Sequence, residues 1–235
     1  MIDFSGKHAV ITGGTGALGT AVVSALLQAG ASCTVPYVHD GEAERFPYRS
    51  QPQVTLVKVS DLAEEGEVTK VYSSAGAPPL WASIHIAGGF AAGRISDIDK
   101  NAFMAQINGN LTSCFLCCRA AVKSMLVAGG GRIVNVAARP ALEWRSGAGM
   151  TAYTAAKAGV GALTAALAEE VAKDGILVNA VAPSIMDTAA NRKAMPKADY
   201  AAWPNIDEVA ATILFLASPD HRVTRGAIVP VYGKS

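Results

Sequence analysis

Short apolar runs alternate along this chain with longer stretches of helical periodicity. Residues His8–Thr12, 32–38, 55–59, 82–86, 132–136, 176–181 and 227–231 read as strands. They are rich in β-branched residues, and their apolar positions mostly do not alternate, as expected of a parallel sheet covered on both faces. Helical patterns fill the intervals: Ala17–Gln28, ended by Gly30, then 64–74, about 100–128, 151–173 and Ile206–Ala217. Strand–helix–strand repetition predicts an α/β fold, a doubly wound parallel sheet flanked by helices with right-handed crossovers. No repeat or linker interrupts the pattern, so residues 1–235 read as a single domain. The one long irregular stretch, 183–204, follows a strand and holds Pro183, Pro196 and Pro204. A long loop at the carboxyl end of a strand is a lid candidate in this architecture.

Composition narrows the class. With 51% hydrophobic and 17% charged residues, the chain reads as globular rather than disordered. A net charge of +1 with no basic run argues against nucleic acid. The N-terminus has no signal-peptide pattern, and no apolar run approaches the roughly 18 residues that span a bilayer. The expected location is therefore the cytoplasm, with no membrane partner. Cys114, Cys117 and Cys118 cluster in one apolar helical stretch, and Cys33 stands apart. Cys114 and Cys118 share a face, but no histidine is near in sequence. They read as buried thiols in a reducing compartment, and no metal is expected.

Two motifs carry chemistry. The first strand runs into Thr12-Gly-Gly-Thr-Gly-Ala-Leu-Gly19 and then a helix. Glycines let the backbone approach a pyrophosphate, and the helix start, with its dipole, holds the negative charge. Further on, Tyr153 and Lys157 lie four apart in Ala152-Tyr-Thr-Ala-Ala-Lys-Ala-Gly159. On a helix both share a face. A phenol of ordinary pKa about 10 is a weak acid near neutrality, and an adjacent cation is expected to lower it.

Taken together, Thr12-Gly13, Asp61-Leu62, Ala87-Gly88, Asn110, Tyr153, Lys157, Pro183 and Thr188 resemble the short-chain dehydrogenase/reductase family over nearly the whole length. The resemblance implies a Rossmann-type fold carrying NAD or NADP. It implies that Gly13, Thr15, Gly16, Leu18 and Gly19 hold the cofactor at the glycine turn. Asp61 with Leu62 would meet the adenine, Ala87 and Gly88 would line the cofactor, and Pro183, Ile185 and Thr188 would hold the nicotinamide end. Tyr153 would transfer the proton, Lys157 would bind the ribose and tune Tyr153, and Asn110 would support a water-linked proton path. The family also pairs the Tyr153 helix and the one before it across a two-fold axis, which implies a homodimer or homotetramer.

Departures from the pattern matter as much. By spacing, Tyr37 occupies the end of the second strand, where an acidic residue would hold the ribose hydroxyls and repel a 2′-phosphate. NADP is therefore expected, with NAD open. His39 or Arg45 could meet the phosphate, and Asp40 could still swing in. The substrate-polarising serine is replaced by Ala138, and Ser146 or Thr151 would have to substitute. The dihydropteridine reductase branch lacks that serine, and the chain resembles it at Gly14–Gly19, at Ala87–Gly93 and in the 186–203 segment. That resemblance implies reduction of a quinonoid dihydropterin or similar planar substrate, with Phe90, Ala138 and Trp144 on the substrate side. Phe90, Trp144, Tyr200 and Trp203 are the candidate aromatic walls, of which one or two are expected to meet ligand. A conventional ketone or 3-oxoacyl reductase is the alternative reading, and a catalytically weak dinucleotide-binding regulator is a second.

Overall fold

The first strand shows why the apolar runs do not alternate. In β1 (His8–Thr12), Ala9 and Ile11 face one hydrophobic core while Val10 faces another. Both faces of the sheet are covered, so both sets of side chains are apolar. The computed structural model describes residues 2–73 and 78–235.

Seven parallel strands form one sheet in the order β3-β2-β1-β4-β5-β6-β7. After β1 come β2 (Ser32–Tyr37), β3 (Val54–Lys58), β4 (Leu80–His85), β5 (Gly131–Val136), β6 (Ile176–Pro183) and β7 (Ile228–Val231). One face carries α1 (Ala17–Gln28) and α9 (Ile206–Ala217), which pack on each other. Leu18, Val22, Val23 and Leu26 of α1 meet Val209, Ile213 and Leu214 of α9 in this core. The other face carries α3 (Glu65–Tyr72), α4 (Lys100–Ile107), α5 (Ser113–Ala128) and α7 (Thr151–Glu170). Because β1 is flanked by β2 on one side and β4 on the other, the chain reverses its winding there. That reversal opens a crevice at the carboxyl ends of β1 and β4.

All seven expected strands exist, and Ala17–Gln28 and Ile206–Ala217 are helices with the expected bounds. The expected end of one helix at Ser74 lies outside the described residues. Three short helices were not expected: α2 (Asp40–Arg45), α6 (Arg139–Leu142) and α8 (Ala189–Ala194). The stretch after β6 is thus less irregular than its prolines suggest, since it holds α8 and a single 3₁₀ turn at Tyr200–Ala202. Between α4 and α5 a π turn, Asn108–Thr112, continues the helix without a break. The composite helix, Lys100–Ala128, is 29 residues long with a mean hydropathy of 1.5 in its most apolar stretch. By length and composition alone it could cross a membrane, contrary to the expectation that no run is long enough. Its apolar character has a different cause, because α5 packs against β4, β5, α3 and α7.

Ile213 is fully buried in the α1–α9 core. Ile213→Ala should lower the unfolding free energy by about 2–5 kcal/mol through lost burial and the cavity left behind. Urea unfolding of the variant and the parent checks this.

Candidate active site

The crevice at the switch point is built by close backbone approach. Gly13 has φ +67, and a Cβ there would lie 2.7 Å from the Ala87 nitrogen. A Cβ on Gly19 would run into the Gly13 carbonyl oxygen. The floor is tied together by Thr12, whose Oγ1 accepts the Ala87 N–H at 3.2 Å. Gly16 is the N-cap of α1, with no side chain capping the first turn and no acidic residue in it. An uncapped helix start over a glycine floor fits an anionic group such as a pyrophosphate. Thr15 is half-buried at this turn, while Leu18 points into the core and fixes the helix rather than facing the crevice.

Around the crevice the other expected cofactor residues take distinct places. Asp61 is exposed and its Oδ1 accepts the Ala63 N–H at 2.8 Å, while Leu62 is buried. Ala87 and Gly88 follow β4 at the crevice mouth. Pro183 closes β6, Ile185 is exposed, and Thr188 caps α8 by accepting the Asn191 N–H at 3.1 Å. Tyr37 ends β2 and is half-buried. Asp40 pairs with Lys58 at 2.7 Å on the surface. Glu42, unremarked in the sequence reading, turns its carboxylate back to accept the Val38 N–H at 3.2 Å. It stands beside the strand end because it is the third residue of α2 and completes a capping box with His39.

The catalytic candidates converge on the neighbouring strand ends. α7 presents Tyr153 and Lys157 one turn apart, with Lys157 Nζ 5.9 Å from the centre of the Tyr153 ring. The ammonium donates to the Val136 carbonyl oxygen at 2.8 Å, which anchors α7 to the end of β5. Asn110 sits in the π turn and is buried. Its Nδ2 donates to the carbonyl oxygens of Gly89 and Gln106, each at 3.0 Å, and its Oδ1 has no partner among the described residues. A Cβ on Gly88 would lie 2.5 Å from Asn110 Oδ1 and 3.5 Å from Lys157 Nζ. Glycine at 88 is therefore what lets these two groups share one corner. A widened helical turn at such a place is a recurrent feature of functional sites.

Electrostatics departs from expectation. Burial pushes the Tyr153 phenol up to about 12, instead of the lowering expected from Lys157. The lysine's charge reaches the face of the ring, and its hydrogen bond goes to a backbone carbonyl. Burial also pushes Lys157 down to about 8, with the Cys114 sulfur opposing the shift.

On the substrate side, Ala138 is buried and opens α6 just past β5. Ser146 does not replace a missing donor there, since its hydroxyl donates to Glu143 O at 2.7 Å within its own turn. Thr151 is exposed at the start of α7. Of the aromatic candidates, Phe90 stands edge-on to Tyr153 with ring centres 5.1 Å apart and remains 62% exposed. Trp144 instead donates its indole N–H to Ala141 O at 3.1 Å and is largely exposed. Tyr200 and Trp203 pack on each other at 5.1 Å and belong to the packing of the 183–204 stretch itself. The loop bearing Phe90 is held over the site where Gly93 N–H donates to Gly149 O at 2.8 Å.

A family model described as short chain dehydrogenase matches residues 7–199. Galactitol 2-dehydrogenase of Rhizobium johnstonii is 32% identical over 96% of this chain and 93% of its own. Cis-4-hydroxycyclohexanecarboxylate dehydrogenase of Sinomonas cyclohexanicum is 33% identical over 98% and 96%. The 3-oxoacyl-(acyl-carrier-protein) reductase FabG of Vibrio harveyi is 28% identical over 99% and 98%. A solved structure titled "Crystal structure of gox2181" superposes with TM-score 0.90 at 28% identity, covering 97% of this chain and 95% of that one.

Lys157 generates a stability prediction. Its depression from 10.5 to about 8 corresponds to about 3 kcal/mol of unfavourable charge burial. The deficit is fully present below pH 8, where folded and unfolded chains both carry the proton. It disappears as pH rises from 8 to 10.5, where the unfolded chain holds the proton and the folded one does not. After allowing for the lost bond to Val136, Lys157→Met should gain about 1–3 kcal/mol at pH 7. That advantage should shrink toward pH 10.5, as read by denaturant unfolding of both proteins across the range.

Proposed function

This chain belongs to the short-chain dehydrogenase family, and on that premise we propose that it is an NAD(P)-dependent oxidoreductase interconverting a carbonyl and an alcohol, with Tyr153 passing the proton. The observation that carries the reading is the shared corner formed by Tyr153, Lys157 and Asn110 beside the glycine-floored crevice. A nicotinamide cofactor, when bound, supplies or accepts a hydride. Gly13, Gly16 and Gly19 would hold its pyrophosphate against the start of α1, and Lys157 would face its ribose. The relatives' names support the substrate class: they are a dehydrogenase of galactitol, one of a hydroxycyclohexanecarboxylate, and a 3-oxoacyl reductase.

Tyr153, raised to about 12, is a neutral phenol at pH 7. A protonated phenol can give its proton to a developing alkoxide. Lys157 keeps α7 docked on β5, and Asn110 keeps the Gly88–Gly89 backbone in place beside it. Exposed Phe103, Met104 and Phe115 on α4 and α5 support the expected self-association.

A quinonoid dihydropterin remains as a second reading on one observation. Ala138 leaves no hydroxyl at the end of β5, and an electron-poor planar substrate needs no carbonyl clamp. The relatives named above are alcohol and carbonyl enzymes, and they favour the first reading. For the cofactor we favour NADP, because Tyr37 is not acidic and Asp40 is engaged by Lys58. Glu42 is the negative charge a 2′-phosphate would meet.

Tyr153→Phe should lower kcat by at least about 10²-fold while cofactor affinity stays within about twofold. Retained turnover would remove the proton-donor assignment. Ala138→Ser should raise kcat/KM toward ketones by about 10²-fold in a steady-state panel that includes a quinonoid dihydropterin. No gain on ketones, together with dihydropterin turnover in the parent, would establish the second reading instead. Fluorescence titration should show NADPH binding more tightly than NADH, and Glu42→Gln should widen that preference several-fold.

A further inference from the structure

Folding brings a histidine to the cysteine cluster, which sequence spacing had kept apart. His85, at the end of β4, comes up against the face of α5 that carries Cys114 and Cys118. One ligand atom from each of the three residues falls within 4.8 Å of the others. Cys118 Sγ lies 3.5 Å from His85 Nδ1. All three side chains are buried, at 3%, 5% and 1% exposure. Two thiols and an imidazole at this separation form a soft donor set of the kind that selects a thiophilic d¹⁰ cation.

We propose that His85, Cys114 and Cys118 bind one zinc-like divalent cation, with Asn135 Oδ1 closing the site. The oxygen lies 2.8 Å from His85 Nδ1 and 3.5 Å from Cys118 Sγ, so it shares the same pocket. The surroundings supply the outer hydrogen bonds that orient such ligands. His85 Nε2 is 2.8 Å from Ser83 Oγ and 3.2 Å from the Tyr72 hydroxyl. Asn135 is itself fixed, because its Nδ2 donates to Thr164 Oγ1 at 2.9 Å.

The proton balance is explicit. Asn135 Oδ1 can only accept, so the imidazole proton sits on Nδ1 in the metal-free chain. On binding, that proton moves to Nε2, where Ser83 Oγ accepts it, and both sulfurs coordinate as thiolates, their thiol protons passing to solvent. A dication on two thiolates leaves no net charge in the interior, which is why burial does not oppose it. The site adjoins the crevice, since the Cys114 sulfur acts on the charge of Lys157, but the inference rests on these four donors and does not depend on which substrate the enzyme takes.

The test uses the whole, reduced protein. It is loaded in two ways, by growth in zinc-supplemented medium and by dialysis against zinc, then desalted and assayed for metal. About one zinc per chain is expected from the parent and from Cys117→Ala. Cys114→Ala and Cys118→Ala should each weaken zinc binding at least tenfold. Cobalt replacement in the unmutated protein gives a readout that needs no folded variant, since thiolate-to-cobalt charge transfer must appear. A parent that takes up no zinc by either route overturns the proposal. So does zinc retained equally by both variants, or bound cobalt without thiolate bands.

Discussion

An ammonium taken out of water holds the working end of this molecule together. Lys157 is buried, and its hydrogen bond to Val136 O joins α7 to the end of β5. That one bond places Tyr153 beside the crevice, because the two residues are one helical turn apart. It also carries a penalty, since a cation in a low-dielectric site loses its hydration and finds only partial compensation in a carbonyl. A chain selected for stability alone would put an apolar side chain there. Strain of this kind, retained at one point and offset by packing elsewhere, is expected where a group must act on something else.

Against that background, the legible and illegible parts of the sequence separate on physical grounds. The strands and the long helices were readable because burial on two faces or one stripe leaves a periodic imprint. α1 is a clear case, with Leu18, Val22, Val23 and Leu26 all inward. α2, α6 and α8 left no such imprint, since each is four to six residues long and held by caps and neighbours rather than by a hydrophobic stripe. Site residues divide the same way. Tyr153, Lys157 and Gly13 could be named as candidates from local spacing, and the fold brings them to the carboxyl edge of the sheet. Glu42 was not named because its place beside the strand end depends on a capping box in an unexpected helix, although the His39-to-Glu42 spacing is compatible with one. The approach of His85 to Cys114 and Cys118 could not be read at all, since it joins residues 29 and 33 positions apart through packing of α5 on β4.

Resemblance had its own limits. The lid segment suggested a pterin reductase, yet most of that likeness lies in exposed or half-buried residues that pack against each other. Tyr200 packs at a tilt against Trp203, and Arg192 pairs with Asp187 through Nε and Nη2 at 2.5 and 2.7 Å. Such a self-contained segment can be shared by enzymes with different substrates. The named relatives, galactitol 2-dehydrogenase and a 3-oxoacyl-(acyl-carrier-protein) reductase among them, align over nearly the whole chain, whereas that likeness covers single segments.

The absence of a hydroxyl at position 138 then has to be reconciled with carbonyl chemistry. One well-placed oxyanion donor contributes about 10²–10³ in rate, or roughly 3–4 kcal/mol. Neither nearby hydroxyl restores it as placed here: Ser146 is committed to Glu143 O, and Thr151 lies exposed at the start of α7. The hydroxyl donor on which the proposed reading relies is Tyr153, flanked by the edge of Phe90. On the proposed reading a single phenol would both polarise the substrate oxygen and deliver the proton, which suits substrates whose carbonyl is already activated. Electron-poor carbonyls meet that condition, and so do quinonoid rings. The two substrate readings therefore share one physical requirement, an acceptor reactive enough to need only one hydrogen bond.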